Sequence, residues 1–319
     1  MKKILLILLL YISSHPVYGR DSLLVVFWNV ENFYDYIDDG NGESDREFSS
    51  YGSRHWTKKK FLAKCDAVAK SLFFIGERYG RMPDIIGLAE IENRRVLSKL
   101  LGTTLLRKYD YGTVHQDSKD RRGIDVALLY RKSVFKRVSF SFTLPEYEGS
   151  PMTTRDILQV CLEYGMGQKI NLIVNHHPSK YGGSEVSAGR RSAAMLALRN
   201  ICDSLEKVDR GVPVVAMGDF NDTPDGEQFG ILSDVLANKA DVLFKEGRGT
   251  IRYKGKWELI DMFMTSHDIS AGSRMDIVLI PFLMTYDRQY PGYKPLRTYT
   301  GPRYSAGVSD HCPIVLFVK

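Results

Sequence analysis

Polar residues of a narrow kind stand directly after apolar runs in this chain: Asn29 and Glu31, Glu90, His176, Asp219 with Asn221, and Asp310 beside His311. A strand leaving a core often ends on a polar residue, so any one alone carries little. Together they supply the carboxylate and amide oxygens that hard divalent ions prefer, plus two imidazoles able to meet a phosphate. Phosphodiester hydrolysis asks for a deprotonated water in line with the leaving oxygen, positive charge on the non-bridging oxygens, and relief of charge on the leaving group. Glu90, at the end of an apolar run, suits Mg2+ or Mn2+, whereas Glu92 reads as a surface charge. Asp219 and Asn221 flank Phe220, and strand alternation puts them on one side, where the carboxylate takes a proton from water and the amide holds that water. An Asx turn through Asn221-Asp222-Thr223-Pro224 is a competing and compatible reading. Asp310 serves a metal shell or pairs with a histidine across the site, for which His176 is the candidate; His311 donates to phosphate. His177 should face away from His176.

The elements that must deliver these residues follow from apolar patterning. Strands are expected at Leu23–Trp28, Asp84–Ala89, Gly123–Tyr130, Val134–Phe142, Ile157–Tyr164, Lys169–Asn175, Val212–Gly218, Glu258–Met264, Met275–Leu279 and Cys312–Phe317. Helices are expected over Thr57–Tyr79 and Ser187–Lys207, where apolar residues recur at helical spacing. So many strands for so few helices fit two mainly antiparallel sheets packed face to face, with helices outside. No linker or repeat divides the chain, so residues 20–319 are read as one domain.

Residues 1–19 have the form of a secretory signal: Lys2-Lys3, an apolar run Ile4–Ile12, and a small Gly19 before Arg20. The run is too short to span a bilayer. The chain is therefore expected to be exported, to the periplasm or beyond, as a monomer with no membrane-spanning segment. Loss of Lys2 and Lys3 takes the net charge from +6 to +4, compatible with a polyanionic partner but not decisive. Cys65, Cys161, Cys202 and Cys312 form no CxxC pair, which argues against a structural zinc site and favours free buried thiols.

Six segments, in order, resemble the endonuclease/exonuclease/phosphatase superfamily of DNase I-like enzymes. They are Phe27–Asn32, Gly87–Asn93, Arg122–Ala127, Val174–Ser179, Gly218–Asp222 and Ser309–Pro313. The resemblance implies a four-layered α/β sandwich with its active site at one edge of two β-sheets. It implies metal binding by Glu90 assisted by Asn29, with Asp310 in the metal site or paired to histidine. Asp219 becomes the base, with Asn221 orienting the water, and His311 and His176 meet the scissile phosphate. Asp261, in Trp257–Asp261, resembles the carboxylate that supports a catalytic histidine and is assigned to His176. Arg155, in Thr154-Arg155-Asp156, resembles a basic side chain that reaches substrate phosphate.

The functional expectation is a Mg2+-dependent phosphodiesterase (Mn2+ as the other candidate ion) acting on nucleic acid by in-line water attack. The alternative on the same fold is a phosphatase or phospholipid phosphodiesterase, with an inositol phosphate, a sphingomyelin-like lipid or another small phosphorylated molecule as substrate. A non-catalytic binding protein would lack at least one of the ligands above. Two loops bear on the choice. Residues 35–53 are acidic, which opposes a long polyanion and is of the kind that takes structural Ca2+. Residues 177–191 carry Lys180, Tyr181, Arg190 and Arg191, which favour one. Tyrosines between Tyr286 and Tyr304 keep membrane contact in play.

Overall fold

The computed structural model describes residues 22–40, 42–180 and 184–319, without the side chains of 184–186. The signal segment and Tyr181 lie outside the described residues. Two six-stranded sheets dominate. The first runs in the order Arg274–Ile277, Ile314–Val318, Leu23–Phe33, Ile85–Ile91, Asp125–Arg131, Tyr111–His115; the second runs Leu236–Asn238, Asp261–Ser266, Val214–Asp219, Gln168–His176, Ile157–Tyr164, Phe135–Thr143.

Each sheet holds one parallel pair at its centre, Leu23–Phe33 with Ile85–Ile91 and Gln168–His176 with Val214–Asp219; all other neighbours are antiparallel. A parallel pair needs a crossover, and helices Lys58–Arg78 and Ser184–Val208 supply the two. Both helices are the expected ones, extended or trimmed by a few residues. Helix Arg94–Thr103, capped by the Asn93 side chain on the Val96 N–H at 3.0 Å, is not singled out by the sequence pattern.

Alternation along Leu23–Phe33 sorts its side chains. Val25 and Phe27 join a core between the sheets with Leu128, Leu172 and Met217, while Leu24, Val26 and Trp28 meet Phe61, Val68 and Leu72 under the first helix. On the far side, Met195 and Leu198 of helix Ser184–Val208 cover the second sheet. The layering is thus helix, sheet, sheet, helix. At Gly87 a Cβ would sit 2.5 Å from the Met217 sulfur and 3.2 Å from the Phe27 ring, so the inter-sheet packing of Met217 relies on the missing side chain. All four cysteines are buried and unpaired.

Candidate active site

The C-terminal ends of both parallel pairs meet at one edge of the sandwich. Asn29 and Glu90 come from one sheet, His176 and Asp219 from the other, and Asn29 Nδ2 bridges them by donating to Asp219 Oδ2 at 3.0 Å. Register places His176 and Asp261 on either side of Asp219. His311 arrives from the final strand's approach, its backbone held by Trp28 Nε1 on its carbonyl (2.9 Å) and by its own N–H on Ser309 Oγ (2.9 Å).

Backbone strain gathers here. Glu31, Asn32, Glu90 and Asn221 all have left-handed φ, between 47° and 65°, and the ladder is irregular at Asn29/Phe33 and Ala89/Ile91. These bulges re-aim side chains that plain strands would alternate. Asn221 illustrates it: its N–H closes an Asx turn on Asp219 Oδ1 at 2.9 Å, and its Nδ2 donates to the His177 carbonyl at 3.0 Å. The Asx turn expected from the sequence is therefore present, and it holds Asn221 beside Asp219.

Asp219 is the focus of the cluster. His176 Nε2 lies 3.6 Å and His311 Nε2 3.8 Å from its Oδ2. Burial, then the neighbouring Asp261 charge, pushes its carboxyl up to about 7. The two imidazoles are driven apart. Burial, then the positive charge of Arg155 and Arg122, holds His176 well below its usual range. His311 is also buried, but the charge and hydrogen bond of Asp261 outweigh that and, with Asp219 and Asp310, keep it well above.

Asp261 Oδ2 stands 2.8 Å from His311 Nδ1. This corrects the sequence assignment of Asp261 to His176. Asp310 does not pair with His176 either: its oxygens are 3.4 Å from Arg297 and 3.8 Å from His311 Nε2. Arg155 is buried, with one nitrogen on Asp120 and another on the His177 carbonyl, both at 2.9 Å. Its fork is committed to protein partners, so it braces the strand end behind His176 rather than offering itself to a phosphate. His177 turns away as expected, its ring edge-on to Phe220 at 4.9 Å between centroids.

Several residues enter that sequence reasoning left without a role. Glu31 is buried and receives Arg297 Nε at 2.7 Å; burial, then Asp310, pushes its carboxyl up to about 7. Lys64, fully buried, donates to Thr298 Oγ1 at 2.8 Å and to the Glu31 carbonyl. The charges of Glu31, Glu90 and Asp310 all act on Lys64 and on Arg297. Glu90 Oε2 accepts the Asn32 N–H at 2.7 Å, while Oε1 lies 3.6 Å from Arg122 and 4.0 Å from His176. Carboxylate oxygens of this kind suit a hard divalent ion, and among the described residues the group at this edge close enough to share one is Asp219, Asp261 and His311. Asn29 is less free than expected, because its Oδ1 already accepts the Glu31 N–H at 3.0 Å.

A model of the Endonuclease/Exonuclease/phosphatase family matches residues 24–319. The chain belongs to this family. Solved structures with the same fold include the human Nocturnin catalytic domain with bound sulfate (16% identity, 93% of each chain, TM-score 0.59). A second is D. rerio TDP2 complexed with a single-strand DNA product (16% identity, 94% of this chain and 99% of that one, TM-score 0.58). A third is the Bacteroides thetaiotaomicron mannosyl-6-phosphatase (14% identity, 93% and 99%, TM-score 0.56). No curated protein sequence matches the chain. Enzymes of this family are phosphoric ester hydrolases and generally use divalent metals.

The acidic loop is not the solvated strand of charge its composition suggests. Asp45 is buried and accepts the Asp39 and Gly40 N–H groups at 2.9 and 2.7 Å. Glu92 is fully buried, correcting its reading as a surface charge; it accepts the Asp35 N–H at 2.6 Å, and burial pushes it up to about 9. Asp39 and Asp45 of the loop stand close to Glu92, one of three groups among the described residues whose spacing could hold an ion. Among the described residues no helix is long and apolar enough to cross a membrane.

Proposed function

We propose that the protein is an exported, divalent-metal-dependent phosphodiesterase that hydrolyses nucleic acid by in-line attack of water. The observation that carries this reading is the convergence of two imidazoles on the Asp219 carboxylate, one held charged by Asp261 and the other held neutral by burial. Titratable groups pushed apart in this way divide acid and base roles among themselves. Asp219, near 7, takes the proton of the attacking water, which the Asn221 side chain orients. His311 presents a proton at Nε2 to the phosphate as charge develops, and Asp261 holds that ring in tautomer and orientation. His176, neutral, contributes a second donor from the opposite side. Glu90, with Asn29 on the neighbouring strand and Asp310 as a further carboxylate, would hold Mg2+ or Mn2+, which supplies positive charge to the non-bridging oxygens. Nucleic acid as substrate is supported by the fold shared with a TDP2 that was captured with single-strand DNA. Export is supported by the composition of residues 1–19.

A phosphomonoesterase is the second reading. Asp38 is exposed, beside Asp39 and Glu43 that are paired with Arg95 (3.2 Å) and Arg121 (3.1 Å), on a loop fastened to the Arg122 segment by the Glu43 N–H on the Arg121 carbonyl (2.8 Å), so this loop adds no cation for a long polyanion. The fold shared with a mannosyl-6-phosphatase favours it too. Mature protein with Mg2+ or Mn2+ should be assayed on DNA, RNA, sphingomyelin, inositol polyphosphates and bis(p-nitrophenyl) phosphate. Cleavage of DNA or RNA that Asp219→Asn abolishes is the expected result. Turnover of a monoester or lipid alone would overturn the nucleic-acid reading.

A further inference from the structure

Beside Asp310 opens a groove of about 390 Å3 that no residue of the proposed chemistry fills. Its walls are two hairpins, Ile251–Tyr253 with Lys256–Glu258, and Met284–Asp287 with Gly292–Pro295. The first hangs directly from the candidate catalytic histidine: Ile251 bridges His311, and the Cys312 N–H donates to the Thr250 carbonyl at 2.8 Å. The second is stitched to the first by Arg252, whose two terminal nitrogens donate to the Tyr290 and Pro291 carbonyls at 2.9 and 3.0 Å. Two glycines permit that fit. A Cβ on Gly292 would meet the Arg252 guanidinium at 2.7 Å, and one on Gly255 would meet Tyr290 at 3.1 Å. The groove is thus held by fixed contacts, with one end at the reaction centre.

Its lining carries more basic than acidic side chains, Arg252, Lys254, Lys294 and Arg297 against Asp287 and Asp310. Lys294 is paired with Asp287 at 2.8 Å, and Arg297 with Glu31 at 2.7 Å and Asp310 at 3.4 Å, which leaves Lys254 at the tip as the cation turned to solvent with Tyr253. At the tip, Tyr253 is 61% exposed, with the Lys254 ammonium over one face of its ring. Lys254 follows at φ +45° and Gly255 at +85°, the two-residue turn in which both positions are left-handed. Such turns favour Asn, Asp or Gly in the first position, and a lysine there accepts strain to present an ammonium beside the ring, 5.2 Å from its centroid.

We propose that this groove is the subsite that holds single-stranded nucleic acid beyond the scissile phosphate, a base stacking on the open face of Tyr253 and a backbone phosphate meeting Lys254. An exposed aromatic face beside a free ammonium matches a polymer that alternates flat bases with phosphates. A mononucleotide-sized ester would leave the tip untouched. The inference rests on the nucleic-acid reading of the preceding subsection, and the experiment separates the two.

The test uses the mature chain, residues 20–319, with an end-labelled single-stranded octadeoxynucleotide. Anisotropy in EDTA reports affinity, and cleavage started with Mg2+ reports kcat/KM. Bis(p-nitrophenyl) phosphate, too short to leave the centre, is the reference substrate. Tyr253→Ala is expected to weaken oligonucleotide affinity and kcat/KM by about tenfold or more, with the small diester within about twofold of wild type. Lys254→Gly removes a cation yet relieves the left-handed strain. Its affinity should drop, and the slope of log affinity on log salt should flatten by about 0.7, while Tm does not fall. A purely structural hairpin would lose neither affinity nor salt dependence. Equal losses on both substrates, or none on either, overturn the groove. Tyr253-dependent binding to phosphatidylserine vesicles with none to oligonucleotide overturns it as well. Cleavage of the oligonucleotide independent of the tip removes the groove and leaves the nuclease; tip-dependent binding without cleavage removes the nuclease and leaves the groove.

Discussion

Asp261 Oδ2 and His311 Nδ1 are 2.8 Å apart, both buried, and this pair joins the second sheet to the approach of the last strand of the first. The contact fixes which imidazole nitrogen faces Asp219 and keeps that imidazole charged. In Asp261→Asn the charge is gone but the shape is kept. Turnover should fall by about 10²- to 10⁴-fold with KM little changed, and the His311 titration, followed by NMR, should move down. An unchanged His311 titration would remove Asp261 from the mechanism.

Glu90 holds a carboxylate at φ +65°, a conformation that costs on the order of 1 kcal/mol or more for a residue with a side chain. A position that tolerates such strain and also draws Arg122 and His176 is suited to a bound cation. In Glu90→Gln, Mn2+ affinity by calorimetry should weaken by more than the roughly tenfold that a supporting residue costs. Thermal stability without metal should be unchanged or higher, because one buried charge has been removed. Undiminished Mn2+ affinity would place the ion elsewhere.

His177 makes the acid side of the stability curve predictable. Burial, then the Arg155 and Arg191 charges, pushes it down to about 3, and among the described residues neither ring nitrogen has a hydrogen-bond partner. The folded state thus rejects a proton that the unfolded chain accepts below about 6.5. Its contribution is fully present above that value and is lost as pH falls toward 3. The loss runs at about 1.4 kcal/mol per pH unit. In His177→Phe the ring contact with Phe220 is kept and the titration is not. Urea unfolding should show the variant within about 1.5 kcal/mol of wild type at pH 7 and gaining on it steadily below pH 6. Parallel pH curves would show that His177 carries no such penalty.

The strand-end residues were legible because a buried strand advertises its own end: Asp219 and His176 close apolar runs, and their parallel pairing puts both at one edge. Partnership was less legible. Asp261 could be located by motif, yet its histidine is settled by sheet register and by the turn that brings His311 beside it, neither of which sequence spacing encodes. Glu31 carried no role in sequence, since its partner Arg297 lies 266 residues further on. Lys64 did leave a signal. It sits on the face that carries Phe61, Cys65 and Val68, where a lysine interrupts an apolar stripe, and such an interruption marks a buried ion that has a partner. Glu92 misled for the opposite reason: a charge-rich string looks solvated unless the loop that folds over it is known.

Arg155 separates a structural cation from a substrate-binding one. Both it and Asp120 are buried at 2.9 Å, and Arg155 also carries the His177 carbonyl that Asn221 shares from the other side. Removing one member of such a pair strands a charge in a poor solvent and should cost about 3–5 kcal/mol. Arg155→Met is therefore expected to lower Tm strongly, and Arg155→Met with Asp120→Leu should recover much of the loss because no unpaired charge remains. A phosphate-binding Arg155 would behave otherwise: the single variant would keep its Tm, lose affinity for substrate, and gain nothing from the second substitution. Denaturant unfolding of the three variants, read beside KM, decides between them.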